Sequence, residues 1–400
     1  MTFQSGIDQL LSSENLLSEI KKSACALVAH PASITSNYMH SLDALFESGC
    51  RITKAFGPQH GMRGDKQDNM IETENYSDPT HGIPVISLYG QHRKPTAEML
   101  DDIDIVLFDL QDVGCRIYTY ITTLMYFLEA CDKSDVEIWV LDRPNPAGRP
   151  IDGLILQEGQ ESFVGCAPLP MRHGLTVGEL ASWLVNYKKL NTNLSVIQMK
   201  SYSPDRTPDY GWPNNRPWIN PSPNANSINM ARCFAGTVLL EGVNLSEGRG
   251  TTTPLEVIGA PNLEIVKILS LLEKETPHWL EGVYLRPCFF EPTFHKFKGE
   301  MCTALQIHTD IEAYQHNNFK PYRLIAGLLK SLKTIEPDID LWRTHFYEYE
   351  SKRLAIDVID GGPTLRSWVD NPNSSFSDFE ILLSKDEIVW REKRENFLLY

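Results

Sequence analysis

The sequence predicts an α/β protein, a parallel sheet covered by helices and followed by a smaller α+β domain, and three observations carry that expectation. Short apolar, β-prone runs alternate with amphipathic helical runs through the first half. Between Ser203 and Asn229 the chain turns rich in Pro and Asn, as at Trp212-Pro213 and Pro221-Ser222-Pro223-Asn224, which reads as a crossing between domains. Four hundred residues also exceed what one compact core usually holds. We therefore expect two domains, 1–228 and 229–400.

Taken in order, strands are expected at 26–29, 52–56, 85–88, 105–108, 138–141 and 194–197, each a short Val/Ile/Leu-rich run. Helices fill the intervals at 38–47, 96–100, 119–130 and 176–187, the last opening on Thr176-Val177-Gly178-Glu179, a capping box. The second part offers a strand at 237–240, a helix at 264–273, strands at 283–290 and 304–308, and a helix at 322–332.

Composition narrows the function. The formal charge of -15 argues against a nucleic-acid partner, because phosphate binding wants a basic face. No run of ~20 apolar residues predicts membrane insertion, and the start of the chain carries neither a basic segment nor a long apolar one, so a cytoplasmic location is expected. Eight scattered cysteines without a C-x-x-C pair read as reduced, buried thiols. The oligomeric state stays open.

Chemistry gathers where strands end. The first is Gly57-Pro58-Gln59-His60-Gly61-Met62-Arg63-Gly64-Asp65-Lys66, an amide, an imidazole and three charged groups around three glycines. Carboxyl ends of strands are where α/β folds bind ligands. Others follow the same pattern: Asp109-Leu110-Gln111-Asp112-Val113-Gly114-Cys115-Arg116 and Asp142-Arg143-Pro144-Asn145-Pro146. The second domain adds Glu241-Gly242-Val243-Asn244-Leu245-Ser246-Glu247-Gly248-Arg249-Gly250-Thr251-Thr252. No phosphate-binding G-x-x-x-x-G-K-[ST], dinucleotide G-x-G-x-x-G, zinc-binding H-E-x-x-H or nucleophile-elbow G-x-S-x-G is present. Carboxylate chemistry beside Arg and His remains, with neither cofactor nor metal expected.

These motifs, with Ser87-Leu88-Tyr89-Gly90, His173-Gly174-Leu175-Thr176-Val177-Gly178-Glu179-Leu180 and Pro221-Ser222-Pro223-Asn224, resemble the exo-β-N-acetylmuramidase family along nearly the whole chain. The resemblance implies a Rossmann-like N-terminal domain that binds no dinucleotide, a smaller C-terminal domain and an active site in the cleft between them. It also implies release of N-acetylmuramic acid from the non-reducing ends of peptidoglycan fragments during cell-wall recycling, with a muropeptide such as N-acetylmuramyl-N-acetylglucosamine as substrate. One departure bears on the chemistry: the family usually has Pro-Glu-His-Gly, and here the Glu position is Gln59. An amide is no general acid near neutral pH. The substrate's 2-acetamido oxygen can act as the nucleophile, so the protein needs a proton donor and a group that orients the acetamide.

Catalytic candidates are Glu247, Glu241, Asp109 and Asp112, with Gln59 and His60 beside them. Substrate contacts are expected from Arg63, Asp65, Arg116, Asp142, Arg143, His173, Asn244 and Arg249. Arg63 and Arg249, which flank the two most polar loops, are the preferred partners of the sugar's lactyl carboxylate. Two rivals stand beside this reading. One is a non-catalytic muropeptide-binding protein that lost its acid at position 59; the other is a carboxylate-dependent hydrolase acting on a different amino sugar.

Overall fold

The computed structural model describes residues 2–64, 71–206, 210–214 and 216–400. Its strands, in chain order, are β1 (Ala24–Val28), β2 (Arg51–Gly57), β3 (Tyr76–Ser77), β4 (Pro84–Ser87), β5 (Ile105–Phe108), β6 (Glu137–Leu141), β7 (Asp152–Ile155), β8 (Pro170–Arg172), β9 (Leu194–Ile197), β10 (Val257–Ala260), β11 (Tyr284–Phe290) and β12 (Cys302–His308).

Seven strands form the central sheet in the order β3-β4-β2-β1-β5-β6-β9, parallel throughout except for β3. The six parallel strands thus run third, second, first, fourth, fifth, sixth, the doubly wound order with its switch point between β1 and β5. Each of the six expected strands lies at its expected place.

Side chains of alternate strand residues point to opposite faces, and both faces are covered. Cys25 and Leu27 of β1 join Leu107, Trp139 and Leu141 in one core, under the helices Gly6–Ser12, Glu14–Lys22 and Ser41–Glu47. Ala26 and Val28 join Val106, Phe108 and Val140 in the other, under the helices Tyr120–Cys131 and Val177–Lys188. Burial on both faces explains why the strands read as unbroken apolar runs. The capping box at Thr176 and Glu179 is formed.

The second core continues without a break into the C-terminal half, through Leu240, Ile258, Tyr322, Ile356 and Trp390. That half carries the antiparallel sheet β10-β12-β11, the helices Ile265–Glu275 and Pro321–Ile335, and three helices not expected from sequence, Ala355–Asp360, Thr364–Asp370 and Phe376–Arg394. One expectation is corrected: 237–240 is no strand. The helix Ile228–Thr237 runs straight into a 3-10 turn, Val238–Gly242. The last long helix returns to the N-terminal half, where Trp390 Nε1 donates to the carbonyl of His173 at 2.8 Å. Tyr400 OH reaches Asp142 at 2.8 Å.

Candidate active site

A pocket lies where the end of β2 meets the helix after β5 and the C-terminal half. Gln59 and His60 come from the turn after β2, and Ile117 to Tyr120 from the start of the helix. Ser222 and Asn224 come from the Pro-rich segment, Glu241 from the 3-10 turn, Arg249 from the Gly-rich loop, and Tyr347 and Glu348 from a hairpin-like turn. Nearly all of this lining is buried.

The turn after β2 depends on close backbone approach. A Cβ on Gly57 would stand 2.6 Å from the Met62 nitrogen, so only glycine lets the chain fold back there. Gln59, 6% exposed, is thereby held against two partners. Its Nε2 donates to Glu348 Oε1 at 2.9 Å, and its Oε1 accepts from Thr119 Oγ1 at 2.7 Å. Tyr89 OH donates to the other Glu348 oxygen at 2.8 Å. Burial raises the Glu348 carboxyl above the ordinary range; hydrogen bonds from Tyr89 and Gln59 oppose that shift, the charge of Glu241 adds to it, and Arg93 opposes it.

Glu241 is bound from both sides. Arg249 donates to Oε1 at 2.6 Å and Tyr347 OH to Oε2 at 2.7 Å. Behind Arg249 lies Glu247, fully buried, 3.2 Å from the Arg249 Nε and 2.8 Å from Lys296 Nζ. Burial pushes the Glu247 carboxyl upward, but the charges of Lys296, Arg249 and His295 outweigh it and hold it down at about 2. The loop carrying both residues needs Gly248 at φ 79°, where a Cβ would also stand 2.3 Å from Val257.

The pocket therefore gathers Gln59, His60, Glu241 and Arg249 of the residues expected from sequence, with Glu247 directly behind it. The others lie elsewhere. Asp109 forms a two-pronged pair with Arg143, at 2.6 and 2.8 Å, with both side chains essentially inaccessible. This pair stands at the switch point of the sheet, the crevice that binds a nucleotide in dinucleotide enzymes. Asp112 accepts from the Gly114 nitrogen at 2.6 Å and faces His173 at 3.7 Å. Asp142 caps the helix Val177–Lys188, accepting from Gly178 N and Thr176 Oγ1, each at 2.8 Å. Arg116 spends its guanidinium on four backbone carbonyls, those of Leu154, Leu169, Ile359 and Asp360. Asn244 donates to the Asp340 carbonyl. Arg63 lies over the Tyr76 ring at 4.3 Å and lines a separate cleft beside β4. Asp65 is outside the described residues.

Sequence reasoning missed Glu348, Tyr347 and Thr119. Nothing local marks Glu348, but the amide at position 59 was a signal, since it leaves an acid to be found elsewhere. Among the described residues, no group of three or more His, Cys, Asp or Glu side chains is arranged to hold a metal ion. All eight cysteines are free thiols, seven of them buried.

Comparison with known proteins gives one consistent result. Family models for the N-terminal and C-terminal domains of the exo-beta-N-acetylmuramidase NamZ match residues 25–229 and 232–400. The peptidoglycan beta-N-acetylmuramidase NamZ of Bacillus subtilis (strain 168) is 35% identical over 402 residues, covering 99% of this chain and 91% of its own. A DUF1343 family protein of Bacteroides fragilis, known from its crystal structure, superposes with a TM-score of 0.83 at 29% identity, covering 100% of this chain and 99% of that one. A second from the same organism, at 24% identity and a TM-score of 0.76, shares the fold.

Proposed function

The chain belongs to the exo-β-N-acetylmuramidase NamZ family of glycosidases, and on that premise we propose that it releases N-acetylmuramic acid from the non-reducing ends of peptidoglycan fragments. The observation that carries this reading is the pocket itself, which sets two carboxylates, an arginine and an amide around one recess between the two halves. A pocket takes a chain end, whereas a mid-chain cutter needs a long open groove. Gln59 would orient the acetamide, whose oxygen attacks the anomeric carbon. Arg249, held in place by Glu241, would meet the lactyl carboxylate as a further acceptor. Glu247, tied to Lys296 and Arg249 and ionised down to about pH 2, serves as the brace of that arginine.

The test is hydrolysis of a chromogenic β-N-acetylmuramide beside the matching N-acetylglucosaminide. Strong preference for the muramide is expected. Equal rates would point to a different amino-sugar hydrolase, and no turnover of either to the binding protein that Gln59 also suggests.

We further propose a cytoplasmic role in cell-wall recycling. Eight unpaired thiols suit a reducing compartment, and no helix among the described residues is long and apolar enough to cross a membrane. Thiol titration of protein denatured under nitrogen straight from cells should find about eight; a count near zero would place the protein in an oxidising compartment.

A further inference from the structure

We propose that Glu348 is the proton donor of glycosidic cleavage, supplied by the C-terminal half to a site whose position 59 holds an amide. This rests on the glycosidase reading above.

Position is the first argument. Among the described residues, Glu348 alone lines both the inner pocket and a wider neighbouring cleft walled by Arg93, Tyr126, Phe163 and Tyr349. A donor must stand between the sugar that is released and the group that leaves. With the muramyl residue in the inner pocket, the leaving sugar falls in the outer cleft. There Arg93 stacks on Tyr349 at 3.7 Å and gives it an aromatic and cationic wall.

Backbone conformation is the second. Tyr347 and Glu350 close a four-residue turn, with Glu350 N donating to the Tyr347 carbonyl at 2.9 Å, and the two central residues, Glu348 and Tyr349, have φ of 45° and 66°. Turns with both central φ values positive favour Asn and Gly. Here they are occupied by a buried carboxylate and an aromatic ring, a local cost that persists only where the surrounding structure over-determines the conformation, and such costs cluster at active sites.

The third argument is orientation. Gln59 and Tyr89 each bind one Glu348 oxygen, which fixes the carboxyl plane at the mouth between the two cavities. Burial and the facing charge of Glu241 keep its proton on to higher pH than an exposed glutamate would hold it.

In the first step the Glu348 carboxyl gives its proton to the bridging oxygen while the bond from that oxygen to C1 breaks, its electron pair staying on oxygen. The acetamide oxygen bonds to C1, closing a cyclic oxazolinium. Water then bonds to C1 as the ring opens, and the Glu348 carboxylate takes the proton that the water loses.

The experiment compares wild type with Glu348→Gln on N-acetylmuramyl-β-1,4-N-acetylglucosamine and on the 4-nitrophenyl muramide. The variant should lose ~10²–10⁴-fold on the disaccharide, and much less on the nitrophenyl substrate, whose leaving group needs little protonation. The fall of kcat/KM at alkaline pH should disappear with it, although Glu241, Arg93, Tyr89 and Tyr347 all face this carboxyl. Equal losses on both substrates, or an unchanged alkaline limb, overturn the assignment. A wild type inert on both substrates sinks the glycosidase reading instead. If Glu348→Gln fails to fold, Glu348→Asp keeps both oxygens one methylene short and should show the same unequal loss; an equal loss again overturns the assignment.

Discussion

Gln59 and Glu348, 289 positions apart in the chain, are joined by a 2.9 Å hydrogen bond from Nε2 to Oε1. An amide donates there without adding charge, so position 59 sets no second acid beside the Glu348 carboxyl. Replacing Gln59 with Glu would set two acids within hydrogen-bonding distance, and like charges that close raise one of the two pKa values strongly.

The first prediction follows from that contact. Gln59→Glu should shift the alkaline limb of the pH–rate profile upward while the wild type is already active. Rates measured from pH 5 to 8 on the chromogenic muramide decide the matter. An inert wild type with an active Gln59→Glu variant would show that the natural protein is a binder.

Anion recognition gives the second. The protein should bind N-acetylmuramic acid more tightly than N-acetylglucosamine, by the ~1.5–3 kcal/mol of a charged hydrogen bond. Arg249→Lys should remove most of the difference, because an ammonium cannot span Glu241 and a lactyl carboxylate as a planar fork does. Arg63→Lys, altering a residue that lines a separate cleft, should not. Calorimetric titration of both sugars reads this out, and the reverse ranking of the two variants would move the anion site to Arg63.

Stability of the sheet's switch point supplies the third. Asp109→Asn leaves the Arg143 guanidinium, 1% exposed, without its counter-charge. Breaking a buried pair by removing one partner costs about 3–5 kcal/mol. Urea denaturation should show it, and an unchanged midpoint would mean that the pair contributes nothing net.

The fourth concerns pH and stability. Burial lowers His30 to about 3 and His316 to about 2. Their folded values lie below the unfolded 6.5, so the stability they contribute is present above pH 6.5 and lost as pH falls. Burial raises Asp142 and Asp360 to about 6; with unfolded values near 3.8, they add stability as pH falls from about 6 to 4. Between pH 6 and 4.5 the two pairs oppose each other. Below that, Glu247 and Glu380, both held at about 2 by basic partners that outweigh burial, join the histidines. Denaturation midpoints should therefore stay level from pH 6 to about 4.5 and then drop, by about 1.4 kcal/mol per pH unit for each unmatched proton. A steady decline beginning at pH 6.5 would contradict this balance.

How much of this was legible in the sequence depended on whether the signal was local. The six parallel strands could be read because burial on both faces makes each a run of apolar residues. The helix at 177–188 could be read from its capping box. The run Val238-Leu239-Leu240 was misread as strand because it is buried on every side, and a short run with no polar face has no period to distinguish strand from helix. Asp109, Asp142 and Arg143 looked like ligands because ends of parallel strands commonly hold them; here those ends are also where two layers of the molecule are pinned together. Glu348 was invisible for the opposite reason. Its turn lacks the glycine or asparagine that usually betrays a left-handed backbone, and its partners at positions 59 and 89 come from the other half of the chain.

The return of the last helix to the N-terminal half bears on how the chain is made. Asp142, His173 and Glu179, set around the sixth and eighth strands, receive partners from Tyr400, Trp390 and Leu399. The ribosome releases the whole central sheet long before residues 376–400 exist. Until then the strands β7 and β8, against which that helix packs, lack their cover on that side.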